Sequence, residues 1–331
     1  MKKWIALMLA LIAALSIMTG CKSKTPAPDE ETQPSRSPLS QADAPALPDT
    51  LDYGEDGVPT IIVYDVADEQ YKRLNIEDYV MGVLAGEMRN DWPMEALKAQ
   101  AILARTFVLK FISEKQSKYD GAAISTDISE ALAYAPDQIN DRIKKAVNDT
   151  RGEVLSANGE LPYAWFHAHS GGKTELPVEG LDFDQENPSY LRIVESPDSD
   201  SAPTTVKNWS ATFTAAEVAK AAKDAGVDVG NTVTSIEPGK KSDSGRTVYF
   251  LINGRKVSAP ALRLNLDSTK LKSTLLTSVE LKDGKITFTG SGYGHGVGMS
   301  QWGAYALALD GRTAEEIIGW YFSGVGVASV W

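Results

Sequence analysis

The chain has 331 residues, with 33 Lys+Arg against 44 Asp+Glu for a formal net charge of −11, and 43% of it is hydrophobic. That length accommodates one large domain or two average ones, with enough chain to bury a sizeable core. The acidic balance excludes nucleic acid as the main partner, because phosphate binding needs a basic surface; the single cysteine, Cys21, excludes disulfide frameworks and all-cysteine zinc sites.

Met1-Lys2-Lys3 is a short positive region, and Ile5 to Met18 is almost unbrokenly apolar. A run of about fourteen residues is too short for a permanent membrane helix but fits the core of a signal peptide. It ends in Met18-Thr19-Gly20-Cys21, which is similar to the bacterial lipobox, where small residues precede the cysteine that becomes lipidated. A plain signal peptide with a chance cysteine is the alternative. A diacylglycerol on Cys21 would supply two acyl chains and a firm anchor. The expectation is therefore a lipoprotein-type signal peptide over residues 1–21 and an extracytoplasmic protein lipid-anchored to the cell membrane. Residues 22–57 are dominated by Pro, Ser, Ala, Thr, Asp and Glu. Such a segment cannot offset its ordering entropy, and it reads as a disordered, semi-extended linker.

The folded part is expected over residues 58–331. Val58 to Val66 is β-branched and apolar and predicts a strand. Asn75 is placed to cap a helix, along which Ile76, Tyr79, Val80, Val83 and Leu84 recur at helical spacing. At about 100° per residue, Glu87 falls roughly 20° from Ile76, near the centre of that apolar stripe. Partial burial there would raise its pKa and keep it protonated near neutral pH. If the helix frays after Gly86, Glu87 is instead a solvated terminal residue.

Pro93 opens a second helix over Met94 to Glu114, with Leu97, Ala101, Ala104, Val108 and Phe111 as its packing stripe. Arg105 lies at the flank of that stripe. Buried, it would need a carboxylate or carbonyl partner; structural pairing and substrate contact are both open to it. A helix over Asp137 to Asn148 follows, and then Pro162 to Phe166 predicts a strand running into His167-Ala168-His169. Strand alternation would put His167 and His169 on one face. Zinc there would need a third ligand, and His295 is the only other histidine. Hydrogen-bonding roles are the simpler reading, and no cofactor is expected.

Residues 181–210 read as loops, followed by a helix over Phe213 to Ala225 and strands at Thr247–Phe250, Lys256–Val257 and Ile286–Phe288. The pattern is α+β with mostly antiparallel strands, without regular βαβ alternation. Gly290 to Ala304 is glycine-rich and holds His295, Ser300 and Gln301. It lacks the preceding strand unit of a dinucleotide fingerprint, a GK[ST] phosphate loop and a closing G-x-S-x-G glycine. Two further helices end the chain, the last with Thr313 and Glu316 as a capping box.

Three stretches, EDYVMGVLAGEM…PMEALKAQAILARTF, AWFHAHSGGKTE and GYGHGVGMSQWGAYALALDG…EEIIGWYFSGV, resemble the SpoIID/LytB family across roughly residues 58–325. The resemblance implies one compact SpoIID-like catalytic domain and a peptidoglycan lytic transglycosylase. Such an enzyme cleaves the MurNAc-GlcNAc β-1,4 bond without water and leaves a 1,6-anhydroMurNAc end. It implies wall remodelling during sporulation (forespore engulfment), with glycan strands as substrate and a membrane-anchored cell-wall amidase as partner. It also places the catalytic glutamate in Gly86-Glu87-Met88, so Glu87 would serve as acid and then base. His295, Ser300, Gln301, His167, His169 and Arg105 are the candidate substrate-binding residues. In Ser125–Tyr134, where family members often carry cysteine and glutamine, this chain reads STDISEALAY. The LytB branch implies an alternative, a non-enzymatic peptidoglycan-binding stimulator of an amidase. A solute-binding lipoprotein is a third reading, suggested only by the anchor and linker.

Overall fold

The computed structural model describes Leu39 and residues 41–331. The segment expected to be a signal peptide, Cys21 and the first part of the expected linker lie outside these residues. The fold is α+β, with most strand pairs antiparallel, and its side chains bury into two hydrophobic cores.

The first core begins with a sheet in which β1 (Asp52–Tyr53), β2 (Pro59–Asp65) and β3 (Gln70–Asn75) pair antiparallel, with β2 central. Alternate residues of β2 are buried, as a strand packed on one face requires. α1 (Ile76–Glu87) follows β3 directly, and the Asn75 side chain accepts from the Glu77 N–H at 2.8 Å to cap it. Ile76, Tyr79, Val80, Val83 and Leu84 are all fully buried. The helix runs through Glu87 without fraying, because the Met88 N–H still bonds to the Leu84 carbonyl. α2 (Met94–Glu114) is the central helix, and its alanines let neighbouring elements approach closely.

β4 (Ile124–Ser125) adds to β2 in parallel. α3 (Asp141–Asp149) starts four residues later than the sequence suggests, since Asn140 caps it and Pro136–Gln138 forms a separate 3-10 turn. β5 (Glu153–Ser156) leads to β6 (Phe166–His167), the only paired part of the strand expected over Pro162 to Phe166. Two short helices follow, α4 (Pro177–Leu181) and α5 (Thr204–Lys207).

The second core lies within residues 209–290. β7 (Trp209–Thr214) has the strict alternation of a half-buried strand and includes Phe213, which sequence reading assigned to a helix. α6 (Ala215–Asp224) starts only after Thr214, which forms a capping box with Glu217. β8 (Ile236–Pro238), β9 (Tyr249–Ile252) and β10 (Arg255–Ser258) form one antiparallel sheet. After α7 (Ala259–Leu266), the strands β11 (Leu276–Lys282) and β12 (Lys285–Gly290) join β7 in another. Phe213, Phe250 and Phe288 meet edge to face between them.

The chain then returns to the first core. β13 (Met299–Ser300) pairs in parallel with β6, setting Ser300 opposite His167. α8 (Gln301–Leu309) and α9 (Ala314–Tyr321) pack on α2, and β14 (Gly326–Ser329) closes against β5. Residues 41–57, read from composition as linker, lie on this body. The Ala42 N–H bonds to the Val327 carbonyl at 3.0 Å, Leu51 joins the first core and β1 pairs with β2. Ordered chain thus starts before residue 58, because even a few apolar side chains suffice when a neighbouring strand edge is open.

Candidate active site

Glu87 occupies the last turn of α1, half-buried, with its carboxyl held from two sides. Oε1 accepts from the Ala133 N–H at 2.8 Å, and Oε2 accepts from the Gln301 side-chain amide at 3.2 Å. Burial pushes the carboxyl above the usual glutamate range, and these two donors only partly offset it. The negative end of the α1 dipole works in the same direction as burial.

The donor at Ala133 is there because α1 carries glycines at 82 and 86. A Cβ at Gly86 would lie 2.7 to 2.8 Å from backbone atoms of Ala133 and Tyr134, and one at Gly82 would collide with the Tyr134 ring. Bare helix surface therefore lets residues 131–135 lie directly on α1, fixed by the Ala135 N–H on the Gly82 carbonyl at 2.9 Å. The Ser125–Tyr134 segment is thus a wall of the site.

Glu87 opens into a cleft of about 540 Å³ whose lining includes Phe107, Leu132, Trp165, His167, Arg263, Tyr293, His295 and Gln301. Glu87 is the only carboxylate lining it among the described residues. Opposite lies the glycine-rich segment, in which Gly292, Gly294, Gly296 and Gly298 all have positive φ. Close approach requires the glycine at 294, whose Cβ would sit 2.7 Å from that of His167.

The three histidines have separate surroundings. His167 faces the Val297 carbonyl through Nδ1 at 3.1 Å, and its Nε2 has no protein partner. Burial and then the nearby Arg246 push its pKa down to about 3. His295 Nδ1 accepts from the Val297 N–H at 3.0 Å, and burial holds this ring well below the usual histidine range. The His167 and His295 rings lie 5.7 Å apart on the cleft wall. His169 points elsewhere: its Nδ1 accepts from the Gly171 N–H at 3.0 Å beside Asp198, and it does not line the cleft. Burial lowers its pKa too. Among the described residues no three His, Cys, Asp or Glu side chains converge as a ligand set.

Two further candidates have structural positions. Ser300 is fully buried; it caps α8 through the Gly303 N–H and donates to Asp198 Oδ1 at 2.5 Å. Arg105 is fully buried in the first core, where it forks onto Glu77 at 2.6 Å and donates to the Glu153 carbonyl at 2.8 Å. Glu77 also accepts from the Gly152 N–H and the Trp331 indole. Arg105 is a packed ion pair, away from the cleft. Of the substrate-binding candidates, Gln301, His167 and His295 are brought together with Glu87.

Sequence reading missed the groups that fasten this site. Asp198 accepts from Ser170, Ser196, Ser300 and the N–H groups of Gly171 and Gly172, a buried carboxylate saturated by donors. Arg246 is fully buried beneath Gly296 and donates to the carbonyls of Ser170 and Lys173. Arg263 reaches the cleft itself, with burial pulling its pKa down to about 10. All three lie in loops or short elements without periodicity to mark them.

Residues 65–156 match the family model described as Stage II sporulation protein, and residues 174–298 match a domain of unknown function. An uncharacterized protein of Brachyspira hyodysenteriae is 33% identical over 258 residues, covering 77% of this chain and 67% of the relative. Stage II sporulation protein D of Bacillus subtilis is 29% identical over 286 residues, covering 81% and 79%. A protein of the same organism named Amidase enhancer is 28% identical over 296 residues, covering 75% of this chain and 40% of that protein.

Proposed function

The chain belongs to the SpoIID family, and from that membership and the chemistry of its cleft we propose that it is a peptidoglycan lytic transglycosylase. The reading rests on one observation: a single carboxyl lines the cleft, and burial holds it above the usual range. Glycosidases that use water need two carboxyl groups, one to protonate and one to activate water or attack the sugar. A lytic transglycosylase needs one, because the sugar's own 6-hydroxyl is the nucleophile.

Glu87 first gives its proton to the glycosidic oxygen as the C1–O bond of MurNAc breaks. The carboxylate left behind is stabilised by the Ala133 N–H and the Gln301 amide. It then takes the proton of the C6 hydroxyl as O6 closes on C1, giving the 1,6-anhydro ring and restoring the acid. His167, neutral because of burial, would meet the glycan through Nε2, the ring nitrogen without a protein partner, while His295, its Nδ1 held by the Val297 N–H, shapes the cleft wall. No cofactor takes part in this scheme.

The relatives named Stage II sporulation protein D and Amidase enhancer support a cell-wall-related role in sporulation. Within it, the protein would act outside the cytoplasm, tethered through Cys21, on strands prepared by a cell-wall amidase. The relative named Amidase enhancer also favours a second reading, a wall-binding stimulator without glycan cleavage. Following glycan ends and amidase products in the same wall digest separates the two. The enzyme reading expects new anhydro ends without any amidase present; the stimulator reading expects faster amidase release and no new ends.

A further inference from the structure

Gln301 reaches Glu87 from the first position of α8, so their bond depends on where that helix begins. β13, immediately before it, pairs with β6 over only two residues, a parallel ladder too short to fix the helix by itself. Two contacts bracket Gln301 instead. On one side the Ser300 hydroxyl accepts from the Gly303 N–H at 3.2 Å and donates to Asp198 Oδ1 at 2.5 Å. On the other, the Trp302 N–H bonds to the Ala168 carbonyl at 3.0 Å.

Asp198 gathers both sides of this arrangement, and its side chain is only 5% exposed. Oδ1 also accepts from Ser196 at 2.9 Å. Oδ2 accepts from the Ser170 hydroxyl at 2.5 Å and from the N–H groups of Gly171 and Gly172 at 2.9 and 3.2 Å. Both glycines have positive φ, which turns successive N–H groups onto one oxygen. Arg246 holds the same turn from its carbonyl side, at Ser170 and Lys173. β6 and Ala168 lead directly into that turn. One oxygen of a buried carboxylate thus serves the turn after β6 and the other serves the cap of α8, while three hydroxyls and two N–H groups offset its desolvation.

We infer that Asp198 is a positioning residue for Glu87: it sets the start of α8 against the Ser170–Gly172 turn and so aims the Gln301 amide at the carboxyl. Asp198 does not line the cleft and acts through Gln301. The titratable groups facing it are His169, Arg246 and Tyr321, with Lys207 beyond His169. Those lining the cleft with Glu87 are His167, His295, Arg263 and Tyr293. Among the described residues the donors to the Glu87 carboxyl are the Ala133 N–H and the Gln301 amide, so a displaced Gln301 is read in the titration of Glu87 itself.

The test titrates full-length protein by carbon NMR with labelled glutamate carboxyls, the Glu87 signal being the one that Glu87→Gln removes. Wild type, Asp198→Asn, Gln301→Ala and the double variant are compared. Asparagine keeps the shape but replaces one acceptor oxygen by a donor amide, so one side of the link is lost. The Glu87 midpoint should move to higher pH in Asp198→Asn, as in Gln301→Ala, and the double variant should move no further than Gln301→Ala alone. Ser300→Ala cuts the helix side only, should move the midpoint the same way, and carries the test if Asp198→Asn does not fold. An unmoved midpoint in folded Asp198→Asn or Ser300→Ala overturns the inference. So does a double variant whose displacement is the sum of the two single ones. The rate of anhydro-end formation should fall about tenfold in Asp198→Asn, and this readout alone rests on the glycan-cleaving reading. Wild type that yields no anhydro ends, with midpoints moving as expected, sinks the enzyme reading and upholds the positioning of Gln301 by Asp198.

Discussion

Gln301, the first residue of α8, donates its side-chain amide to Glu87 at the end of α1, across 214 positions of sequence. The contact joins the glycine-rich segment to the helix pair and, among the described residues, is one of two hydrogen bonds on this carboxyl. Both donors favour the ionised form, and burial opposes them. The balance defines what Gln301 does.

Gln301→Ala removes one of the two donors that hold Glu87 down, so its pKa rises further. The alkaline limb of kcat/KM should move to higher pH. The rate on the plateau should fall about tenfold or more, because the departing carboxylate loses a stabilising donor. A pH-rate profile of anhydro-end formation reads both effects. A lowered rate with an unmoved limb would assign Gln301 to substrate contact alone.

Glu87 also leaves a signature in stability. Its folded pKa is raised, so the folded protein retains a proton over a range in which the unfolded chain has lost it. The stabilising contribution is fully present below the ordinary glutamate pKa and is lost as pH rises through the raised one. Glu87→Gln removes that dependence. Its Tm relative to wild type should climb as pH rises above the ordinary glutamate range, about pH 4, as thermal unfolding at a series of pH values would record.

Gly86→Ala tests how the site is assembled. The added methyl group would meet backbone of Ala133 and Tyr134 at 2.7 to 2.8 Å, contacts that cannot yield by side-chain rotation. Overpacking of this kind costs about 1–3 kcal/mol, and moving the segment withdraws the Ala133 N–H from Glu87. Activity should therefore fall more steeply than the unfolding midpoint, when both are measured on one preparation.

Arg105→Ala should act on the fold. It strands Glu77 in the core without its cation, a loss worth about 3–5 kcal/mol. The chemical-denaturation midpoint should drop accordingly, while KM of the protein that remains folded is unchanged. A KM effect in stably folded variant would return Arg105 to the substrate-binding set.

Much of the first core was legible in the sequence because its elements are long and periodic. The stripe from Ile76 to Leu84, the Asn75 cap and the Thr313-Glu316 box all act within a few residues. Glu87 stood out by the same helical arithmetic. What escaped detection depends on distant partners. Ser300 looked like a cleft residue until its bond to Asp198, across 102 positions, turned it inward. Arg105 needed Glu77 to declare its role. Strands of two residues, such as β6 and β13, carry no pattern of their own and exist because the two segments meet. The alternation in Trp209–Thr214 was readable, but the adjoining Thr214 cap drew the segment into the helix.

The account turns on whether one carboxyl performs both proton transfers. Wild type and Glu87→Gln are incubated side by side with amidase-stripped glycan strands, and products are read by mass spectrometry for 1,6-anhydroMurNAc ends. Such ends from wild type, absent with the folded variant, are the predicted result. Anhydro ends from both proteins at similar rates, or reducing ends carrying the mass of added water, would contradict it.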